Sequence, residues 1–473
     1  MSYETAVEHL YALGHELANM TSHKFDLAHM RALLGGLGNP ERKFSSVLIA
    51  GTNGKGSTAA MLDSILRASS LKTGLYTSPH LVWINERIRV GGTEIGDADF
   101  ATLHEVVDRT AERLVEDREL PWHPSFFEMM TAIAFEYFAR EQIEIAVLEV
   151  GMGGRLDATN VVEPRVSVIT DIALDHQNFL GNTLTEIARE KAGIIRRGGV
   201  VVTLPQQPQA NDVIGNTILD LDAKGVSAVP YVPPLSPASA QFVVRGNHEK
   251  LLTAEGAEED AEDADKQGIV SVASCISRYP LNVMGQQITV EASLVGRHQL
   301  RNIALAIAAA EELSLQGFAI TPEAIERGIR ETRWPGRFQV VRSHSAEPEY
   351  VFDVAHNPAG AWALRSTLSA CYEDRQLIFV FGTMKDKAIG EMAEILFPLA
   401  ERVIATHADN PRAATPQEIR EAASRTSPSI EDAADVATAL ARVRSLAGPE
   451  TVVVITGSIY IVGEAMRILG VKA

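Results

Sequence analysis

The sequence has 473 residues, a formal net charge of −18 at pH 7 and 46% hydrophobic residues. This length favours two globular domains, and the acidic balance argues against broad binding to nucleic acids or anionic membranes. The two cysteines, Cys275 and Cys371, are too few and too far apart for a disulfide framework or a paired-cysteine metal site. The N-terminal stretch lacks a signal-peptide pattern, and no uncharged apolar run is long enough to span a bilayer, so we expect a cytoplasmic protein.

The first part of the chain alternates between strand-like apolar runs and helical patterns. This alternation predicts a parallel, doubly wound sheet. The predicted elements, in chain order, are a strand at Phe44–Ala50, helices at Ser57–Ser69 and Phe126–Arg140, strands at Ile143–Val150 and Val166–Thr170, a helix at Leu184–Ile195 and a strand at Val200–Leu204.

A different composition follows, from about residue 205 to residue 287. Prolines cluster between Pro230 and Pro237, and the tract Glu255–Asp265 carries seven acidic residues. Like charges at this density repel one another and cannot bury a core. We therefore expect a flexible acidic insertion at the surface.

A second β-α series follows the insertion. A strand at Ile288–Val295 and an apolar helix at Leu300–Leu313 lead to the stiff turn Trp334–Gly336, which predicts an interdomain linker. Further strands are predicted at Tyr350–Val354, Leu377–Phe381, Arg402–Thr406 and Val452–Thr456. The sequence thus predicts two α/β domains, at residues 1–333 and 334–473.

The strongest local motif is the Gly-rich segment Gly51–Thr58, which follows a predicted strand and opens a predicted helix. Glycines let backbone N–H groups approach phosphate oxygens, and a helix N-terminus favours an anion. We expect Lys55 to contact nucleotide phosphates and Ser57 to face Mg²⁺. Because the spacing departs from the standard Walker A pattern, a Gly-rich turn without a ligand is the alternative.

Polar residues near the ends of strands indicate a metal site. Glu149 ends a buried strand, and His176 lies shortly after another. Ligands of open α/β sheets gather at the carboxyl ends of strands, and a buried carboxylate needs a partner. We therefore predict that Glu149, His176 and Ser78 bind Mg²⁺. A structural ion pair is the alternative for Glu149, and histidine is an unusual Mg²⁺ ligand.

Two further motifs are ambiguous by themselves. Lys191, in the run Arg189–Gly193, fits a surface or ion-paired lysine. Asp353 and His356 follow a strand of the second predicted domain, and they fit either contacts to a ribose or phosphate or a capped strand-to-helix turn.

Together these segments resemble the folylpolyglutamate synthase/dihydrofolate synthase family of the Mur ligase superfamily. The resemblance covers nearly the whole chain. It depends on the order and spacing of Gly51–Thr58, Ser78–Leu81, Glu86–Ile88, Ser125–Glu128, Glu149–Asn160, Leu174–His176, Glu190–Gly193, Gly296–Gln299, Gly336–Phe338 and Asp353–Pro358. It implies an N-terminal P-loop-type ATPase domain with a mostly parallel sheet and a C-terminal Rossmann-like α/β domain.

The same resemblance implies the site residues. It assigns ATP to Asn53, Gly54, Lys55, Gly56, Ser57, Asn302, Arg337, Asp353 and His356. It assigns Mg²⁺ to Ser78, Glu149, His176 and Lys191, the last being carbamylated in this family. It assigns the folate to Thr21, Ser22, His23, Lys24, Ser125, Phe126, Phe127, Glu128, Leu156, Asp157 and Ala158. The expected catalytic residues are Lys55, Lys191 and His176.

The expected reaction activates a folate-type carboxylate with ATP and then joins it to glutamate. Its substrates are ATP, L-glutamate and a reduced folate or dihydropteroate, with Mg²⁺ as cofactor, and we expect a monomer without nucleic-acid or membrane partners. The alternatives are a Mur-type ligase with another acceptor, a regulatory NTPase and a small-metabolite kinase. Only about fifty residues precede Gly51, too few for the uridine-nucleotide-binding domain of a cell-wall ligase.

Overall fold

A computed structural model of the chain describes residues 1–14, 27–233, 241–244, 270–271, 275–342, 348–426 and 429–472. Contacts divide it into two compact units. The first comprises Met1–Pro233, Pro280–Val290 and Gln299–Thr332, and the second comprises the remainder, chiefly Arg333 onwards. The predicted acidic tract Glu255–Asp265 and the predicted folate residues Thr21–Lys24 lie outside the described residues.

The first unit is built on an eight-stranded sheet. Its strands are β1 (Ser45–Ala50), β2 (Thr73–Tyr76), β3 (Ile88–Val90), β4 (Thr93–Glu94), β5 (Ile145–Glu149), β6 (Val166–Ile169), β7 (Val200–Thr203) and β8 (Lys224–Ser227). Their order is β4-β3-β2-β5-β1-β6-β7-β8. The six strands from β2 to β8 in this order are parallel, and only β3 and β4 pair antiparallel. The carboxyl ends of β2, β5, β1 and β6 therefore meet at one edge.

The helices of this unit cover the sheet through apolar faces. They are α1 (Tyr3–Ala12), α2 (Leu27–Gly36), α3 (Lys55–Ala68), α4 (Asp97–Glu116), α5 (Phe126–Arg140), α6 (Gln177–Leu180), α7 (Leu184–Ala192), α8 (Pro208–Asp220), most of α9 (Arg297–Leu315) and α10 (Pro322–Glu331). The central strands β1 and β5 are almost wholly buried. Such burial explains why they are continuous apolar runs without polar alternation.

The second unit contains a seven-stranded sheet. Its strands are β10 (Val270–Ser271), β13 (Gln339–Arg342), β14 (Glu349–Phe352), β15 (Gln376–Phe381), β16 (Arg402–Ala405), β17 (Ser429–Asp432) and β18 (Thr451–Thr456), in the order β10-β13-β14-β18-β15-β16-β17. The five from β14 to β17 are parallel. Its helices are α11 (Pro358–Cys371), α12 (Ile389–Leu396), α13 (Pro416–Ala422), α14 (Val436–Leu446) and α15 (Ile459–Leu469). The remaining strands, β9 (Gln241–Val244), β11 (Cys275–Val283) and β12 (Gln286–Ala292), form a three-stranded sheet.

The structure differs from the predicted insertion at both of its ends. Helix α8 and strand β8 lie inside the range 205–287, and β8 pairs with β7 as the last strand of the first sheet. Ala210 and Ile214, four residues apart on α8, are buried. This narrow apolar stripe was obscured in the sequence by neighbouring Pro, Gln and Asn residues. Strand β11 likewise begins before residue 287.

The predicted fold class is confirmed: two α/β units, of which the first has a mostly parallel sheet. The predicted helix Ser57–Ser69 is α3, which begins two residues earlier, and the predicted strand Ile143–Val150 is β5, which is shorter at both ends. None of the described helices is both long enough and apolar enough to cross a membrane.

Candidate active site

The Gly-rich segment forms a tight loop between β1 and α3. Gly54 has φ +88°, and an added Cβ there would lie 2.2 Å from Asn302 Oδ1. An added Cβ on Gly51 would lie 1.8 Å from Thr170 Oγ1. Both positions therefore require glycine. Gly54 has a positive φ and lies against Asn302, whereas Gly51 lies too close to Thr170, at the end of β6, for a side chain to fit.

Backbone hydrogen bonds attach this loop to the end of β6. The N–H groups of Thr52 and Asn53 donate to the carbonyl oxygen of Asp171, at 2.8 and 3.2 Å. The carboxylate of Asp171 in turn accepts bonds of 2.6 to 3.2 Å from the guanidinium of Arg301 on α9. Neither Asp171 nor Arg301 was among the predicted site residues. The acidic side chain of Asp171, just after a predicted strand, could have indicated a residue of the site. Its partner Arg301 could not be predicted, because it lies 130 residues away.

Two lysine amines converge on one carbonyl oxygen in the loop. The Nζ of Lys55 donates to the oxygens of Gly51 and Thr52 at 3.2 and 3.3 Å, and the Nζ of Lys191 donates to Gly51 at 2.7 Å. Lys191, at the end of α7, is buried. Burial, reinforced by the positive charge of Lys55, lowers the pKa of Lys191 to about 7. The sequence had left a surface lysine open for Lys191, and its burial beside the loop excludes that alternative.

The predicted ATP residues of the first unit lie around the start of α3. Ser57 is buried in the first turn, and its Oγ is 3.4 Å from the amide nitrogen of Gln299. The amide of Asn302 donates to the Oε1 of Gln299 at 2.9 Å. Gln299 therefore connects Ser57 with Asn302, a positioning role that the sequence did not reveal, because the two segments are 242 residues apart.

The predicted metal ligands come from the same sheet edge. Glu149 is the buried last residue of β5, and its Oε2 accepts a bond of 3.3 Å from the backbone N–H of Ser78, which follows β2. Glu149 pairs in register with Ile49 of β1, two residues before the loop. His176, beyond β6, caps α6 with φ +50°. Of the three donor types, the carboxylate and the hydroxyl supply the oxygen ligands that Mg²⁺ prefers, and the imidazole does not.

The described part of the predicted folate set surrounds the start of α5. The Oε2 of Glu128 accepts bonds of 2.8 and 2.7 Å from the N–H and hydroxyl of Ser125, and its Oε1 lies 2.8 Å from His29 Nδ1. Phe126 is buried beneath the guanidinium of Arg87, 5.2 Å from the ring centre. Glu128 thus has a capping role that holds the helix start in place.

The rest of this set shapes the loop after β5. Phe127 packs on Gly151, where an added Cβ would lie 2.5 Å from the ring. Asp157 accepts bonds from the N–H groups of Met152 and Thr159, at 2.9 and 3.0 Å. Burial raises the pKa of Asp157. Its neighbours Leu156 and Ala158 are half-buried and buried. These bonds make Asp157 a residue that positions the loop, whatever else it contacts.

The predicted ATP residues of the second unit cluster at the end of β14. Asp353 accepts bonds of 2.9 Å from the N–H groups of Phe338 and Ala355. Burial raises the pKa of Asp353 to about 6, although the charge of Arg337 opposes this shift. His356 Nδ1 lies 2.9 Å from the carbonyl oxygen of Val354. The three predicted residues are therefore neighbours within this unit.

Models of Mur ligase domains match a segment in each of the two units. Residues 336–459 match the model for "Mur ligase, glutamate ligase domain", and residues 123–218 match the "Mur ligase middle domain". The chain is 35% identical to the dihydrofolate synthase/folylpolyglutamate synthase of Bacillus subtilis (strain 168), over 93% of this chain and 94% of the relative.

Solved structures agree with this match. The Mycobacterium tuberculosis folylpolyglutamate synthase, complexed with ADP and AMPPCP, superposes with a TM-score of 0.80 at 30% identity, covering 99% of both chains. An FPGS–AMPPCP–folate complex superposes with a TM-score of 0.77 at 28% identity, covering 99% of this chain and all of the other. Each of these two superpositions covers both units of the chain.

Proposed function

The chain belongs to the dihydrofolate synthase/folylpolyglutamate synthase family, and we propose that the site at the carboxyl edge of its large sheet performs the ATP-dependent addition of glutamate to a folate. The observation that carries the assignment is the convergence of Lys55 and Lys191 on the Gly51 carbonyl oxygen, at 3.2 and 2.7 Å. The carboxylate of Glu149 ends the adjacent strand. A phosphate loop, a cation and a carboxylate at one edge are what phosphoryl transfer from ATP requires.

The first half of the proposed reaction activates the acceptor. A folate carboxylate oxygen attacks the γ-phosphorus of ATP, the bond to the bridging oxygen breaks, and an acyl phosphate and ADP form. Lys55 now caps two loop carbonyls, and in the complex its ammonium group turns to the phosphates and stabilises their charge. The N–H groups of the loop and the start of α3 hold the phosphates.

The second half forms the amide. The neutral α-amine of glutamate attacks the acyl carbon, the carbon–oxygen bond to phosphate breaks, and inorganic phosphate leaves as the amine loses a proton. An acyl phosphate is also attacked by water, so positioning of the amine decides the yield. The residues Ser125–Glu128 and Leu156–Ala158 are our proposed wall for the folate, and Arg337, Asp353 and His356 are proposed contacts to ATP.

We assign Mg²⁺ to Ser78, Glu149, His176 and Lys191. When bound, the ion supplies positive charge to the phosphate oxygens of ATP. Lys191 can join the ligands only as an anion. Its amine, with a pKa of about 7, is largely neutral above that pH and can attack dissolved CO₂, forming an N–C bond and releasing a proton to give a carbamate. Its burial beside the loop supports this modification.

The identity of the acceptor is tested by measuring ADP formation by the purified chain with Mg-ATP and L-glutamate. Dihydropteroate is the acceptor in one reaction and tetrahydrofolate in the other. Release with both acceptors indicates a bifunctional enzyme, and release with one alone identifies a dihydrofolate synthase or a chain-extending enzyme. No acceptor-dependent release would favour a Mur-type ligase with another acceptor or a regulatory NTPase. The predicted monomer is tested by sedimentation of the same preparation.

A further inference from the structure

A cluster of three histidines and one aspartate lies in the first unit, formed by residues that have no part in the proposed ligase reaction. We call His9, His104, Asp108 and His123 the histidine cluster. His9 comes from the last turn of α1, and His104 and Asp108 come from one face of α4, four residues apart. His123 precedes α5. The cluster thus joins three separate segments of the chain.

Three members of the cluster have ligand atoms that lie close together. One atom each of His9, His104 and Asp108 lies within 4.8 Å of the other two. His9 Nδ1 is 3.2 Å from His104 Nε2 and 3.7 Å from Asp108 Oδ1. In a tetrahedral zinc site with bonds of about 2.0 Å, neighbouring ligand atoms are about 3.3 Å apart. Both separations are close to that value.

The fourth member, His123, connects a backbone carbonyl group with Asp108. His123 Nδ1 lies 3.0 Å from the carbonyl oxygen of Pro124, which can only accept, so Nδ1 carries a proton. The Nε2 of His123 lies 3.1 Å from Asp108 Oδ1. Carboxylates that bind a metal are commonly held by a hydrogen-bonding outer partner of this kind.

The burial of the cluster also suits a bound ion. His104 is fully buried, the side chain of Asp108 is 12% exposed, and those of His9 and His123 are 38% and 27% exposed. The inner ligands are therefore held by packing, while the outer two leave an entry path from solvent.

We propose that His9, His104 and Asp108 bind a divalent transition-metal ion, for which Zn²⁺ is the best match, with His123 as an outer partner of Asp108. Two imidazole nitrogens and a carboxylate oxygen are donors that zinc accepts, and a set of three residues leaves the fourth position to water. The ion would cross-link α1 to α4. Tyr11, two residues beyond His9, stacks on Phe126 with ring centres 5.7 Å apart, so this cross-link would also stabilise the start of α5.

The test measures zinc binding by the full chain after its affinity tag has been removed. Protein stripped with a chelator is titrated with Zn²⁺ against a chromophoric competitor, and bound metal is counted by mass spectrometry. We expect one tightly bound zinc per chain. His9→Gln and Asp108→Asn should each weaken binding at least about 100-fold, because loss of a ligand exceeds the effect of losing an outer partner. His407→Gln, a histidine outside the cluster, should bind as the wild type does.

Two further measurements distinguish the zinc site from the predicted magnesium site and test its coordination geometry. Zinc binding should persist in Glu149→Gln, which alters the predicted magnesium site, and Co²⁺ bound in place of zinc should show the visible absorption of tetrahedral coordination. Circular dichroism checks that the His9→Gln variant, altered at a partly exposed residue, stays folded. The proposal is overturned if the wild type binds zinc only at millimolar concentration, or if His9→Gln binds it equally well while Glu149→Gln does not.

Discussion

Replacing Lys191 by methionine should stabilise the chain near neutral pH while stopping the ligase reaction. The Lys191 amine is buried and its pKa falls from 10.5 to about 7. Each pKa unit corresponds to about 1.4 kcal/mol, so burying the ammonium form near pH 7 costs about 4 kcal/mol. Methionine keeps the unbranched chain and removes the charge. The Gly51 carbonyl oxygen keeps its bond of 3.2 Å from Lys55.

The stability difference between the wild type and Lys191→Met should depend on pH. Because the pKa of Lys191 is lower in the folded than in the unfolded chain, the unfolded chain binds more protons between pH 7 and pH 10.5. The stability of the wild type therefore rises with pH across this window and is lost as pH falls towards 7. The variant lacks this contribution, so its advantage should shrink by about 2 kcal/mol from pH 7 to pH 9. For a chain of 473 residues, that change corresponds to about 2 °C in the difference of melting temperatures.

The assay is thermal unfolding of wild type and Lys191→Met at pH 7 and pH 9, in CO₂-depleted buffer with a metal chelator so that neither carbamate nor metal masks the amine. Lys72→Met, which removes an exposed lysine, is the matched control and should show no such trend. A difference in melting temperature that is the same at both pH values would refute the argument. So would full ligase turnover by the Lys191→Met variant in bicarbonate buffer.

Three further substitutions test the remaining parts of the site. Lys55→Ala should reduce kcat/KM for ATP at least about 100-fold in an ADP-release assay, since it removes a phosphate contact, and near-normal turnover would contradict the phosphate loop. Glu149→Gln should raise the Mg²⁺ concentration for half-maximal activity at least about 10-fold, whereas an unchanged Mg²⁺ titration would indicate a structural role. Gly54→Ala should lower stability by about 1 kcal/mol or more and weaken ATP binding in calorimetry, because φ is +88° and the new Cβ would press on Asn302. Wild-type stability and affinity in this variant would show that the loop adapts.

Sequence patterns predicted the parts of the site whose residues are close along the chain. The Gly-rich loop lies between a strand and a helix as expected, and Glu149 ends a buried strand at the same sheet edge. Patterns of this kind work because strand ends and helix starts are local features. Lys191 was ambiguous, since burial of a lysine depends on the elements that pack around it.

Contacts over long separations could not be predicted in this way. Arg301 binds Asp171 across 130 residues, and Gln299 reaches Ser57 across 242 residues. The histidine cluster gave no signal either, because its four residues come from three separate segments that only the tertiary fold brings together. The strand β8 was missed for a related reason, since pairing with β7 stabilises a short sequence with weak strand character.

Identification of the product tests most directly whether the chain joins glutamate to a folate. The purified chain is incubated with Mg-ATP, L-glutamate and tetrahydrofolate, and in parallel with dihydropteroate, and the products are analysed by liquid chromatography and mass spectrometry. We predict an acceptor that is heavier by one glutamyl residue or more, with one ADP and one phosphate formed for each new amide bond. ADP formed without any glutamylated product, or formed equally well without glutamate, would contradict this prediction.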